Sequence, residues 1–132
     1  MPNNIRSSKI NNVKNKNLNL AFSIMWKNEV SSDVYLSNDK KYVHVRKYTS
    51  TPGKQPFMGG DINTSRIYDF LKSRCYEDNY AGLKEVLKTA NLNDNNPWKW
   101  CKHSHGVTWD DFLWIKYPEE TNLTWNDVKC RG

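Results

Sequence analysis

No stretch of this sequence is long and apolar. Its hydrophobic runs fall far short of the ~20 residues that a membrane-spanning helix requires, so no membrane partner is expected. No apolar h-region follows Met1, so a secretory leader is not expected and a cytoplasmic location is. Cysteine is sparse and odd in number, with Cys75, Cys101 and Cys130 far apart. Those spacings exclude a disulfide framework and point to free thiols in a reducing compartment. Hydrophobic residues make up only 37% of the chain, against ~45–50% in ordinary globular domains. Phosphate-cradling and nucleophile motifs are missing too. "FMGGD" (Phe57–Asp61) holds a glycine pair with no Lys-Ser/Thr behind it, and neither a Gly-x-Ser-x-Gly elbow nor a dinucleotide fingerprint occurs. The residues therefore point to no enzyme and no cofactor.

Acid is absent from residues 1–20, which hold Arg6, Lys9, Lys14 and Lys16. Those four account for most of the formal charge of +6; residues 21–132 carry 16 basic and 14 acidic groups. A basic arm on a near-neutral body favours polyanions without reading their sequence. The arm is rich in Asn, Lys and Ser, so disorder is expected over 1–17, with one domain over 18–132.

Inside that domain the pattern begins as strand. "LNLAFSIMW" (Leu18–Trp26), "VYL" (Val34–Leu36) and "YVHVRKY" (Tyr42–Tyr48) are rich in β-branched and aromatic residues. "NEVSSD" and "SNDKK" supply turn residues between them, which predicts a three-stranded antiparallel meander. The loop "TSTPGKQPFMGGD" (Thr49–Asp61) follows; a loop this long is either functional or mobile. The period then becomes helical. Asn63 or Thr64 caps a helix burying Ile67, Phe70 and Leu71, and Leu83, Val86, Leu87 and Ala90 define a second. Pro97 starts a third, short helix to His105, with Gly106 just past its end. "VTWDDFLWIKYP" ends extended at Pro118, and Thr108 and Thr124 each suit the cap of a single turn. Strands first and helices after predict an α+β fold: the meander packed by two to three short helices, with a C-terminal extended segment.

Four clusters invite a chemical reading. Cys101, His103 and His105 could supply three zinc ligands from an extended segment, but alternate residues of a helix diverge and no fourth ligand is placed by spacing, so no metal site is expected. Asp110 and Asp111 suit helix N-terminal positions better than paired acid–base work. Trp98, Trp100, Trp109, Trp114 and Trp125 crowd the C-terminal third. Most should pack the core, and exposed members of Trp98, Trp100 and Trp109 would be partner anchors or base-stacking platforms. Lys40, Lys41, His44, Arg46, Lys47 and Lys54 lie in a span free of acid between Asp39 and Asp61, and form the candidate polyanion-binding set. Strand alternation puts Tyr42, His44, Arg46 and Tyr48 on one face and Val43 and Val45 on the other.

The stretch from Ile67 to Val128 resembles small proteins of phages and mobile elements related to the non-catalytic N-terminal part of HipA-type kinases. The matching residues are Arg74, Leu83, Leu87, Pro97, Gly106, Asp111, Trp114, Ile115, Trp125, Asp127 and Val128. A second arginine of that pattern is replaced by Asn79 and Tyr80, and the kinase module is missing. The resemblance implies a non-enzymatic interaction domain that engages a host protein or protein–nucleic acid complex. An anti-CRISPR-type inhibitor of a defence nuclease fits that setting. A basic chain cannot imitate DNA's charge, so such an inhibitor would bind guide RNA, the loaded complex or an acidic surface. The alternatives are a direct DNA- or RNA-binding regulator, using the basic hairpin and the arm, and an antitoxin-like partner of a separate kinase chain.

Overall fold

The computed structural model describes residues 9–13 and 16–130. It is an α+β fold, as the order of patterns predicts. Five strands are present: β1 (Lys9–Val13), β2 (Lys16–Trp26), β3 (Glu29–Leu36), β4 (Val43–Lys47) and β5 (Leu113–Lys116). They form one antiparallel sheet in the order β1-β2-β3-β4, with β5 also on β2. Four helices complete the fold: α1 (Thr64–Ser73), α2 (Leu83–Thr89), α3 (Pro97–Ser104) and α4 (Trp125–Val128).

The meander is β2-β3-β4, in register from Phe22↔Val34 to Val34↔Val45. "NEVSSD" departs from its reading as a connection: the turn occupies Lys27–Asn28, and Glu29 already begins β3. The reason lies below the turn. Ser31, Ser32 and Asp33 are polar but buried and hydrogen-bonded, so strand pairing overrides their turn preference. The outer edge of β2 is divided. Its first half pairs with β1 through Lys9↔Asn19 and Ile10↔Leu18, and its last half with β5 through Ser23↔Lys116 and Trp26↔Leu113.

The pairing of β1 corrects the expected disordered arm over Lys9–Val13 and over the start of β2. An exposed strand edge offers backbone hydrogen bonds to any extended segment, whatever its side chains. Residues 1–8, 14 and 15 of that arm lie outside the described residues.

One face of the sheet carries the main core. Phe22, Ile24, Val34 and Leu36 meet Ile67, Phe70 and Leu71 of α1, Cys101 of α3, and Leu113 and Ile115 of β5. Val43 and Val45 pack against it, as the alternation predicts. A smaller cluster of Met25, Trp114 and Trp125 lies on the opposite face, closed by α4. The long loop is pinned. Phe57 is buried in the main core, and the Gln55 amide binds Ser32 Oγ, the Phe57 N–H and the Thr49 carbonyl. The Arg66 guanidinium donates to the Gly59 and Asp61 carbonyls at 2.7 and 3.2 Å and closes its end.

Both predicted helix starts hold. Asn63 accepts from Arg66 N–H, and Asn96 accepts from Trp98 and Lys99 N–H with Pro97 in the first turn. Thr124 makes a reciprocal capping box with Asp127. Thr108 caps a turn at Asp110 with no helix behind it. Two left-handed residues, His105 (φ 59°) and Gly106 (φ 65°), end α3 and turn the chain into β5. A Cβ at Gly106 would stand 2.9 Å from Ile115 Cδ1, so this turn requires glycine for space as well as for φ.

Candidate functional site

The Cys-x-His-x-His cluster does not converge. Cys101 is fully buried, its thiol directed at the Leu71 carbonyl 3.5 Å away. His103 is exposed and lies 5.4 Å from the Trp100 ring, centroid to centroid. His105 bonds Glu120 at 2.6 Å. Helical rotation over residues 101–103, then the left-handed turn at 105, sends the three side chains to three places. No group of three or more His, Cys, Asp or Glu among the described residues is placed to hold a metal.

Asp110 and Asp111 are not at a helix start. Asp111 accepts two hydrogen bonds from the Arg74 guanidinium, both at 2.7 Å. Arg74 also donates through Nε to the Gly106 carbonyl at 2.7 Å and through Nη2 to the Leu113 carbonyl at 3.1 Å. Arg74 is buried, so the end of α1, the α3 turn and the start of β5 are joined by one cation. Sequence spacing could not show this, because the partners stand 37 residues apart.

The five C-terminal tryptophans divide by exposure. Trp114 is fully buried, with Nε1 donating to the Lys27 carbonyl, and Trp125 is buried beside it. Trp98 and Trp100 are half-buried, and Trp109 is 64% exposed. Trp98 and Trp100 open onto different hollows. Trp98 lines one with Leu92, Lys99, Lys102, His103 and Tyr117. Trp100 lines another with Trp109, Tyr76 and Cys75.

The candidate basic set is likewise divided. Lys40 sits in the β3–β4 turn with φ 61° and places its ammonium 5.3 Å from the centre of the Trp98 ring. Lys41 and Lys47 are exposed on the same hairpin. His44 and Arg46 turn to the opposite face of the sheet, onto the buried Tyr35 ring. Lys54 is drawn away from the hairpin: it pairs with Glu29 at 3.3 Å and covers Trp26 at 4.3 Å.

On that opposite face, Asp33 is fully buried and accepts from Ser23 Oγ at 2.5 Å and from the Tyr48 hydroxyl at 2.8 Å. Burial, and the bond to Asp33, push the Tyr48 hydroxyl up to about 12. Burial and the neighbouring Arg46 charge hold the His44 imidazole below its ordinary value. A base whose folded pKa is depressed binds protons more readily when unfolded, so stability rises with pH across that window. The expected result is a loss of stability as pH falls through about 6.5. Urea midpoints at about pH 7.5 and pH 5.5 would measure it, and His44→Gln should reduce the difference.

What the sequence pattern missed is the contribution of α2 and α3. Lys84 and Lys88 of α2 border a shallow hollow with Leu87 and Leu92, and Leu92 also lines the Trp98 hollow. Leu92 borders both hollows: Lys99 and Lys102 line one with Trp98 and Tyr117, where the Lys40 ammonium also stands over the Trp98 ring, and Lys84 and Lys88 line the other. Lys99 pairs with Asp94, and Lys102 with Glu119 while lying 3.9 Å over the Tyr117 ring. Lys40, Lys84 and Lys88 have no carboxylate partner among the described residues. The lysine-per-turn spacing of "LKEVLK" was the available signal, but α2 reads on its own as an ordinary solvated helix. Such a face can hold an anionic backbone and offer a ring to a base.

No helix among the described residues is long and apolar enough to cross a membrane. No protein-family model, curated protein or solved structure matches the chain.

Proposed function

We propose that this chain is a non-enzymatic binding protein of phage or mobile-element origin that engages a protein–nucleic acid complex of its host. The observation that carries the reading is the Lys40 ammonium over the Trp98 ring, beside a hollow that Lys99 and Lys102 also line. A cation held against an aromatic plane joins the two contacts that single-stranded nucleic acid takes sequence-independently, charge on the phosphate and a surface for a base. The shallow, open form of the hollows suits a surface contact better than an enclosed small substrate. The resemblance of residues 67–128 to mobile-element interaction domains supports the host setting, in which a guide-loaded defence nuclease is a fitting target. A direct nucleic-acid-binding regulator would use the same face.

The test is binding of a mixed-sequence single-stranded RNA, read by fluorescence anisotropy across a salt series. Affinity should fall steeply between low and moderate salt. Trp98→Ala should cost about 1–3 kcal/mol, and Lys40→Glu should lower the salt slope by about one. Capture of host partners before and after nuclease treatment then separates the two readings. Partners that survive nuclease yet are lost from Trp98→Ala indicate a complex held jointly through protein. Absence of RNA binding at low salt, together with capture unchanged by either substitution, would remove this face from the function.

A further inference from the structure

Cys75 follows the C-terminal end of α1, and Cys101 lies in the middle of α3. Their thiols converge on one atom: Cys75 Sγ donates to the Leu71 carbonyl at 3.3 Å and Cys101 Sγ to the same oxygen at 3.5 Å. The two differ in access. Cys101 is completely buried, whereas Cys75 is half-buried and lines a cavity of about 460 Å³ with Arg74, Tyr76, Trp100, Trp109 and Cys130. An incoming small molecule therefore meets Cys75 first, with Cys101 directly behind it.

We propose that Cys75 and Cys101 form an oxidisable dithiol, Cys75 being the site at which a peroxide reacts and Cys101 the thiol that closes an intrachain disulfide. In the first step the Cys75 thiolate attacks the nearer peroxide oxygen, the O–O bond breaks, and Cys75 becomes a sulfenic acid while the second oxygen leaves as hydroxide or alkoxide and takes a proton from solvent. In the second step Cys101 sulfur attacks Cys75 sulfur, the S–O bond breaks, and the hydroxide takes the Cys101 proton and leaves as water. The two thiols lose two electrons and the peroxide gains them.

The surroundings favour this division of roles. The contact from the Cys101 thiol, and then the Lys72 charge, hold Cys75 below its ordinary value; the same contact and burial push Cys101 well up. The accessible sulfur is thus the better nucleophile, and the buried one stays protonated until an electrophilic sulfur forms beside it. Cys130 borders the cavity but shares no acceptor with the pair among the described residues.

The experiment exposes the full chain to dilute hydrogen peroxide and maps disulfides by mass spectrometry after non-reducing digestion. The expected product is a Cys75–Cys101 crosslink, unchanged in Cys130→Ser and absent from Cys75→Ser. In Cys101→Ala a sulfenic acid at Cys75 should persist and be trapped by a dimedone probe. Should Cys101→Ala fail to fold, the half-buried Cys75→Ser still decides the matter, because it must leave Cys101 and Cys130 reduced at the same peroxide dose. A Cys75–Cys130 crosslink, first reaction at Cys130, or three unmodified thiols in the wild-type chain would each overturn the proposal.

Discussion

Arg74→Ala is expected to destabilise the fold by at least about 1–3 kcal/mol, the cost of leaving a buried hydrogen-bond acceptor without its donor. Four acceptors lose their donor at once: both Asp111 oxygens and the Gly106 and Leu113 carbonyls. Asp111 keeps a bond from the Leu113 N–H. The guanidinium also leaves the Phe70 ring, 5.6 Å from its carbon. Domains are stable by only about 5–15 kcal/mol in total, so the variant should unfold at a much lower urea concentration. Asp111→Ala should cost less, because the Asp111 side chain is 32% exposed and Arg74 would keep both carbonyls. Equal losses from the two substitutions would show that the carboxylate, and not the carbonyl pair, is the main partner of Arg74.

Trp114→Ala should cost about 3–5 kcal/mol, by the loss of buried ring area and the void left behind. Trp114 is fully buried between Met25 and Trp125 on the face of the sheet away from α1. Its Nε1 donates to the Lys27 carbonyl at 2.6 Å, and the Lys27 N–H in turn donates to the Phe112 carbonyl at 3.0 Å. The ring therefore secures the β2–β3 turn, where Lys27 has a left-handed φ of 51°, as well as filling the smaller core. Trp114→Phe keeps most of the area and loses the bond, so it should retain a large part of the stability. Thermal or urea unfolding followed by tryptophan fluorescence gives both values. A loss below about 1 kcal/mol for Trp114→Ala would mean that α4 and the Trp125 ring collapse into the space.

The two substitutions bear on how the candidate face is held. Arg74 secures the turn after α3, and α3 carries Trp98, Lys99 and Lys102. A variant lacking Arg74 could lose partner binding through misplacement of α3 alone, so the contact residues are better probed at Trp98 and Lys40, whose side chains reach the surface.

Much of the fold follows from local patterns. The alternation of Val43 and Val45 against His44 and Arg46, the 3–4 spacing of Ile67, Phe70 and Leu71, the Asn63 and Asn96 caps, Pro97 and Gly106 all act through neighbours in sequence. Patterns of that kind are legible because the backbone period and the cap chemistry are local properties. Two local readings failed for one reason. The Glu29–Asp33 part of "NEVSSD" and Lys9–Val13 have the composition of turn and coil, yet both are strand, since pairing to β2 supplies what their side chains do not.

The sequence by itself determined the strand-then-helix order, the helix limits near their caps, and the crowding of aromatic and basic residues into a few segments. Only the tertiary structure decided which of those residues meet. It parted Lys54 from Lys40, set Lys40 over Trp98, joined Arg74 to Asp111, set Cys75 against Cys101, and sent His103 and His105 apart from both. Those meetings depend on how helices pack on a sheet across tens of residues, a non-local balance of burial and hydrogen bonding that no window of the sequence contains.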